Sequence, residues 1–269
     1  MLKMRMTSTG DFWFVTNQVD TYVGKSLELY GEWSYGEILA MAEFVGPQDN
    51  VVEIGSNIGA HTAFIAKKLC PKGTVYAFEP RRLLFQNLCA NIADNAIDNV
   101  YAFQHAIGST TERIFEGEIS VQNNANHGAY PLGAIEGTAE IIDIYPLDDM
   151  LDFIKPIALL KADVEGHEEQ VLRGSSALIK RDRPVLYLEN DRRDKSQSLI
   201  EYCWSLDYEL YWHLVPLFRP DNFANTAQNI FENIYSFNMV GLPRESGKVF
   251  TQSAKIITSD ALPGNAVAQ

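Results

Sequence analysis

Short apolar runs alternate with helix-like segments along most of the chain, beginning at Val51. The runs with the length and composition of buried strands are 51–55, 74–79, 100–105, 157–163, 185–189, 208–214 and 234–240. The segments with apolar residues at helical spacing are 58–70, 80–95, 166–180 and 195–206. This alternation predicts an α/β domain with a doubly wound, mostly parallel seven-stranded sheet covered on both faces. The last strand follows a loop rather than a helix, so we expect it to pair antiparallel.

A smaller unit is predicted before this sheet. Residues 12–15 and 27–30 fit the two strands of a β-hairpin, and 35–45 fits a helix that Pro47 ends. We therefore assign residues 1–46 to an N-terminal β-hairpin and helix flank.

The interval 106–147 interrupts the alternation. It is predicted to contain short strands around the polar loop 123–128, as a β-rich insertion before strand four. The main domain is then expected at 47–250 with the insertion at 108–147, and the small, polar tail 251–269 is expected to be partly disordered.

Composition narrows the class of protein. The 269 residues include 35 acidic and 22 basic side chains, and the net charge of −13 argues against a nucleic-acid partner. No run is long and apolar enough to suggest a membrane span, and the N-terminus does not resemble a secretion signal. Cys70, Cys89 and Cys203 lack metal-ligand spacing, which predicts reduced thiols, packed in the core, in a cytoplasmic protein.

A glycine turn joins the first strand to the next helix. Glu53, Gly55 and Gly59 form the pattern E-x-G-x-x-x-G, and the following strand ends at Glu79. Glycines let a ligand lie against the backbone, and the helix after the turn offers free N–H groups to an anion. A carboxylate in the position of Glu79 can accept hydrogen bonds from both hydroxyls of a ribose. The third glycine of a dinucleotide fold is missing, which argues against a nicotinamide oxidoreductase.

This pattern resembles motif I of the class I S-adenosylmethionine methyltransferases, and a second block is more specific. The sequence K-A-D-V-E-G-H-E at 161–168, with V-L-R-G at 171–174, resembles the signature of the FkbM-type methyltransferases. E-I-G-S-N-I-G, A-F-E-P, the L-D-D at 147–149 and the strand at 183–189 are also similar to that family, so the resemblance covers roughly 49–190. Glu53 stands where many members have aspartate.

The resemblance implies a Rossmann-like fold, S-adenosyl-L-methionine as cofactor and, usually, O-methylation of a natural-product or sugar hydroxyl. The residues expected to bind the cofactor are Glu53, Gly55, Ser56, Asn57, Gly59, Thr62, Glu79, Pro80, His105, Ala106 and Asp163. The expected acceptor is a small molecule or glycan.

Three residues are candidates for the chemistry. Asp163 and Glu165 are two apart at the end of an apolar strand, so both face the same side, and either could accept the proton of an acceptor hydroxyl. His167 lies on the same motif and could relay that proton. For His61 a structural role is expected, and for His127 a place on the solvated surface.

Other interpretations remain open from sequence alone. A metal-assisted O-methyltransferase could use Asp163 and Glu165 as oxygen ligands, together with His167 and Glu189-Asn190. A non-catalytic module could keep the cofactor site without the chemistry. A nucleic-acid methyltransferase is disfavoured by charge and by the absence of an N-P-P-Y tetrapeptide. The sequence leaves the acceptor, the general base and the oligomeric state undetermined.

Overall fold

A computed structural model describes residues 4–9, 11–17, 19–119, 125–260 and 267–268. In these residues a central sheet has seven main strands in the order β11-β12-β10-β9-β3-β4-β5. The strands of this sheet are β3 (Val51–Ile54), β4 (Val75–Phe78), β5 (Val100–Phe103), β9 (Leu159–Ala162), β10 (Val185–Glu189), β11 (Tyr208–Pro216) and β12 (Ile234–Pro243). Only β12 runs antiparallel to its two main neighbours, and the two-residue strand β13 (Val267–Ala268) pairs with its start. The predicted fold class is confirmed, including the antiparallel last strand.

Alternate side chains along the central strands enter two separate apolar layers. Val51 packs in the layer that contains the helices before strand β5, whereas Val52 packs in the layer that contains the helices after β9. The helices of the first layer are α1 (Val23–Tyr30), α2 (Tyr35–Met41), α3 (Ala60–Phe64) and α4 (Arg82–Asp94). Those of the second layer are α5 (Glu168–Arg173), α6 (Ser176–Asp182) and α7 (Arg193–Ser205). Burial on both faces explains why these strands are apolar runs rather than alternating patterns.

The N-terminal flank differs from the prediction in its second half. Strand β2 (Phe12–Asn17) forms a hairpin with the preceding strand β1 (Met4–Thr9), not with residues 27–30, which belong to helix α1. The predicted strand was wrong because Val23, Leu27 and Tyr30 lie at helical spacing and are all buried on one face.

Two asparagines at the C-terminal end of α4 accept hydrogen bonds from the backbone of β2. The amide of Trp13 donates to Asn95 Oδ1 at 2.8 Å, and the amide of Val15 donates to Asn91 Oδ1 at 2.7 Å. Phe12 of the same strand packs against Phe64 of α3, with ring centroids 4.4 Å apart. The flank therefore shares the first apolar layer with the main sheet.

Two predicted helices of the main domain also differ from the structure. The predicted helix 166–180 is two helices, because the chain bends at Gly174, where a Cβ would lie 1.9 Å from the carbonyl oxygen of Gly108. The predicted helix 58–70 begins at Ala60 as an α-helix and continues from Ile65 to Leu69 as a π-helix.

The predicted insertion forms its own three-stranded sheet in the order β6-β8-β7. Its strands are β6 (Ala106–Ile107), β7 (Glu112–Glu116) and β8 (Glu140–Tyr145). In the predicted polar loop, Asn123 and Asn124 lie outside the described residues. The described part is tied to the flank: Thr21 N donates to the Ala125 carbonyl oxygen, and Ala125 N donates to that of Val19.

Three further expectations can be compared with the structure. Cys70 and Cys203 are buried but Cys89 is exposed, so core packing of all three cysteines was wrong. The start of the tail is held on β11, where Ile256 N donates to the Leu210 carbonyl oxygen, and residues 261–266 and 269 are outside the described part. Among the described residues, no helix has the length and hydropathy needed to cross a bilayer.

Candidate active site

The glycine turn after β3 lies directly against the end of β9. Gly55 has φ +85°, and a Cβ built on it would lie 1.8 Å from the carbonyl oxygen of Asp163. The amides of Gly55 and Ser56 both donate to the carbonyl oxygen of Phe78 at the end of β4. Only glycine fits this position, because both the left-handed backbone and the missing side chain are required.

Glu79 organises the same loop from the end of β4. Its Oε2 accepts a hydrogen bond from the amide of Asn57 at 2.9 Å, and its Oε1 accepts one from the amide of Arg81 at 2.9 Å. The carboxyl group is buried, and this desolvation raises its pKa to about 7. Each oxygen keeps a lone pair for a further donor.

Two adjoining clefts open beyond the carboxyl ends of the central strands. They share part of their lining and are bordered by residues of the sheet, the flank and the insertion. The described residues that border both are Gly55, Glu79, Gly128, Asp163 and Glu165. The first cleft extends to the flank through Trp33, Glu37 and His61, and the second extends to the insertion through Ala106, Tyr130 and Leu132.

The polar loop of the insertion closes against the glycine turn. A Cβ at Gly128 would lie 2.3 Å from Asn57 Nδ2, so these two loops are in direct contact. His127 is 2 % exposed, with Nδ1 3.5 Å from Asn17 Nδ2, and the predicted surface position of this histidine was wrong.

A buried lysine joins two of the candidate acids. Lys161 donates a hydrogen bond to Asp163 Oδ2 at 3.0 Å, and its Nζ lies 3.9 Å from Glu53 Oε1. Burial opposes its charge, but these neighbouring carboxylates outweigh that effect and raise the pKa of Lys161 above its ordinary range. Burial raises the pKa of Glu53, and its second oxygen accepts a hydrogen bond from Thr62 Oγ1 at 2.5 Å.

Asp163, Glu165 and Glu189 form an acidic cluster at the mouth of the first cleft. One carboxylate oxygen from each lies within 4.8 Å of the others, a separation that a single cation could bridge. Burial raises the pKa of Glu165 to about 8 and that of Glu189 well above its ordinary value, with mutual repulsion adding to both. Arg192 forms an ion pair with Glu165, so part of this charge is already neutralised.

Most of the predicted site residues converge on these clefts. Those that border the first are Glu53, Gly55, Ser56, Asn57, Glu79, Asp163 and Glu165. Of the others, Pro80, Ala106 and His167 border the second. His167 therefore lies on the side of the insertion, away from the flank, where burial and the charge of Lys195 lower its pKa.

The other three predicted residues border neither cleft within the described part of the chain. Thr62 is fully buried behind the turn, where it supports Glu53. A Cβ at Gly59 would lie 2.7 Å from Leu88 Cδ1, so this glycine allows close packing of α3 on α4. His105 is packed among aromatic rings, with its own ring centroid 5.3 Å from those of Phe78 and Tyr145.

The residues of the first cleft that were not among the predicted site residues include Trp33, Glu37, His61 and Lys161. The sequence could have indicated Lys161, because a lysine inside the apolar run L-L-K-A is expected to be buried and therefore to be paired with an acid. His61, expected to be structural, does have such a contact, with Nε2 3.1 Å from the carbonyl oxygen of Trp33. Trp33 and Glu37 come from the flank, and no pattern in the main domain points to them.

Comparison with known proteins identifies the family of this chain. Residues 53–212 match the family model described as the methyltransferase FkbM domain. The chain is 27 % identical over 185 residues to Methyltransferase 1 of Beauveria bassiana, an alignment covering 60 % of this chain and 73 % of that protein. It is 31 % identical over 128 residues to the hexuronic acid methyltransferase AglP of Haloferax volcanii, covering 47 % of this chain but only 50 % of AglP.

A solved structure shows the same fold. The crystal structure of methyltransferase FkbM from Methylobacillus flagellatus superposes with a TM-score of 0.51 and 20 % sequence identity, over 73 % of this chain and 44 % of that one. The family match covers more than half of the present chain and includes β3, β4, β9 and β10, the strands that carry Glu53, Gly55, Glu79, Asp163 and Glu189. This chain belongs to the FkbM methyltransferase family.

Proposed function

We propose that the protein is an S-adenosyl-L-methionine-dependent O-methyltransferase that acts on a hydroxyl group of a small molecule, natural product or sugar. The observation that carries the cofactor assignment is Glu79, a buried carboxylate that keeps the loop of Asn57 in place and has lone pairs left for two ribose hydroxyls. The similarity to AglP, whose name specifies a hexuronic acid, supports a sugar as one class of acceptor.

The residues present fit such a cofactor. Glu79 would hold the ribose, Pro80 and Ala106 would border the adenine in the second cleft, and Gly55 leaves the backbone open to close approach. When bound, the cofactor supplies the methyl group as a sulfonium. The clefts meet at Gly55 and Asp163, which is where the donor and acceptor sides of the site would adjoin.

We assign proton acceptance to Asp163, supported by Glu165. Asp163 borders both clefts, and Lys161 fixes its Oδ2 by a hydrogen bond, so the carboxylate is held in one orientation. Glu165 is the alternative acceptor, although burial raises its pKa to about 8, so that it is mostly protonated at neutral pH, and its carboxylate is paired with Arg192. His167 has a lesser role in this proposal because it borders the second cleft and not the first.

The test is transfer of a labelled methyl group from S-adenosylmethionine to a mixture of simple glycosides and polyols, with products identified by mass spectrometry. We expect methylated glycoside with the wild type and a loss of about 100-fold or more with Asp163→Asn, the usual contribution of a general base. Glu232→Gln, at an exposed position that borders neither cleft, is the matched control. Full activity of Asp163→Asn would reject the assignment of the base.

A second candidate is the same reaction assisted by a divalent metal ion. The convergence of Asp163, Glu165 and Glu189 within 4.8 Å favours it, since such ions take several carboxylate oxygens. The ion pairs of Asp163 with Lys161 and of Glu165 with Arg192 oppose it, because a metal ion would have to displace them. Loss of transfer on EDTA treatment, restored by Mg²⁺, would establish this variant in place of the metal-free one.

A further inference from the structure

Glu37 has one carboxylate oxygen with no protein partner, although the side chain is buried. The residue is 2 % exposed and borders the first cleft. Its Oε1 accepts a hydrogen bond from Ser34 Oγ at 2.7 Å, whereas its Oε2 accepts none from any described residue. A buried acceptor without a donor is costly, so this oxygen needs an explanation.

The helix that carries Glu37 does not use this oxygen. Ser34 and Glu37 have the S-x-x-E spacing of a capping box, in which the glutamate would accept from the serine amide. Here Ser34 has a left-handed backbone with φ 39°, and its side chain makes no capping hydrogen bond. The carboxylate instead borders the first cleft together with Lys161, and its charge acts to raise the pKa values of Lys161 and Tyr187, while it opposes the lowering of the His213 pKa by burial.

Two donors whose side chains interact electrostatically with Glu37 have other partners. Lys161 donates one hydrogen bond to Asp163, and the Tyr187 hydroxyl is hydrogen-bonded to His213 Nδ1 at 2.8 Å. Because no described residue donates a hydrogen bond to Glu37 Oε2, a donor for this oxygen would come from a molecule in the cleft.

The position of Glu37 favours the acceptor over the cofactor as that molecule. Glu79, the candidate ribose ligand, lies beyond β4, on one side of β3 in the sheet. Glu37 lies on the other side, because a Cβ at the adjacent Gly36 would lie 2.6 Å from Val215 Cγ1 of β11. Glu189 of β10 and Ser236 of β12 border the same cleft on that side.

The charge of the first cleft limits what it can bind. Its described lining includes one lysine and the six acidic residues Glu37, Glu53, Glu79, Asp163, Glu165 and Glu189. Burial raises the pKa values of Glu79, Glu165 and Glu189, so protons neutralise part of this acidic charge at neutral pH. An anionic ligand would still face the remaining carboxylates with Lys161 as the one cation of the described lining, whereas a hydroxyl or ammonium group supplies the donor that Glu37 Oε2 lacks.

We propose that Glu37 accepts a hydrogen bond from a hydroxyl or amino group of the acceptor, and that the cleft selects neutral or amine-bearing polyols, such as hexosides and amino-hexosides, against uronic acids. This inference rests on the proposed function and specifies its substrate class. The acceptor that we propose therefore differs from the hexuronic acid specified in the name of AglP.

The test compares three methyl glycosides of the same configuration: a hexoside, its 2-amino analogue and its uronic acid. Labelled methyl transfer is measured with each, after binding of S-adenosylhomocysteine has been verified by calorimetry. We expect the hexoside or the amino-hexoside to have kcat/KM at least about tenfold above the uronic acid. Absence of S-adenosylhomocysteine binding would count against the proposed function itself, whereas intact binding with a preferred uronic acid would overturn only this inference.

The variant Glu37→Gln tests whether Glu37 itself binds the acceptor, and Glu232→Gln is the control at an exposed position. We expect KM for the better glycoside to rise about tenfold or more, with S-adenosylhomocysteine affinity changed by less than about twofold. An equal loss of S-adenosylhomocysteine affinity would assign Glu37 to the cofactor and overturn the proposal. An unchanged KM, or no transfer to any of the three glycosides while S-adenosylhomocysteine still binds, would overturn it as well.

Discussion

The ammonium group of Lys161 lies between two acids of the site, 3.0 Å from Asp163 Oδ2 and 3.9 Å from Glu53 Oε1. Lys161 and Glu53 are both buried on the central strands, and Lys161 is the main compensation for the charge of Glu53, while Lys161 itself is paired most closely with Asp163. The same contact places the Asp163 carboxylate at the junction of the two clefts.

Lys161→Met is therefore expected to destabilise the protein by about 3–5 kcal/mol, because it leaves Glu53 buried without its cation. Urea unfolding measures the change. The double variant Lys161→Met/Glu53→Gln removes both charges and is expected to recover part of the loss. Additive losses in the double variant would show that the two side chains are not coupled.

Gly55→Ala should abolish cofactor binding and destabilise the fold, because the new Cβ would lie 1.8 Å from the carbonyl oxygen of Asp163. Gly133 is a matched control, since its φ of +80° is nearly that of Gly55 while no described atom lies within 4 Å of a Cβ there. Gly133→Ala is expected to cost only the strain of the left-handed backbone, about 1–2 kcal/mol. Equal effects of the two substitutions on the unfolding midpoint would contradict the close approach of the two strand ends.

The ion pair of Arg81 and Glu116 is expected to anchor the insertion at the second cleft. Both side chains are buried, their charged atoms are 2.9 Å apart, and Arg81 also donates to the carbonyl oxygen of Tyr130. Arg81→Met should cost about 3–5 kcal/mol and should accelerate proteolysis within the insertion.

The adjacent pair of Arg82 and Glu118 provides the comparison, since it has a similar geometry but is exposed. Arg82→Met is expected to cost less than about 1 kcal/mol. Similar proteolysis rates for the two variants would show that the buried ion pair of Arg81 does not anchor the insertion.

Stability of the ligand-free protein should fall as pH rises from about 5 to 7. Burial raises the pKa of Glu79 from an ordinary value of 4.5 to about 7, so the folded state binds this proton more tightly than the unfolded state does. The stabilisation is complete below the unfolded pKa and is lost as pH rises to the folded pKa, which amounts to about 3 kcal/mol at most. Glu79→Gln should flatten this part of the pH profile of urea unfolding, and an unchanged slope would contradict a buried, proton-binding Glu79.

The sequence predicts the main domain well because the apolar pattern of each strand and helix agrees with its place in the fold. Residues 185–189 were predicted to the residue, since an apolar run buried on both faces between two helices has few alternatives. Residues 27–30 were misassigned because L-E-L-Y fits both a strand and one turn of a helix, and only the preceding Val23 decides between them.

The candidate site was predictable where it lies on strand ends and not where the flank contributes to it. Glu79 and Asp163 follow apolar strands, and parallel strands present their carboxyl ends at one edge. Glu37 instead has the spacing of a helix cap, which conceals its orientation toward the cleft. His105 also ends a predicted strand, but packing against Phe78 and Tyr145 takes its ring away from the ligand side.

The central claim is that the carboxyl edge of the sheet binds S-adenosylmethionine with Glu79 as the ribose ligand. Calorimetric titration of S-adenosylhomocysteine into the wild type, Glu79→Gln and the control Glu232→Gln tests it most directly. We expect micromolar binding by the wild type and the control, and a loss of about 1.5–3 kcal/mol in Glu79→Gln, as for hydrogen bonds to a charged group. Absence of binding by the wild type, or equal affinity of Glu79→Gln, would contradict the claim.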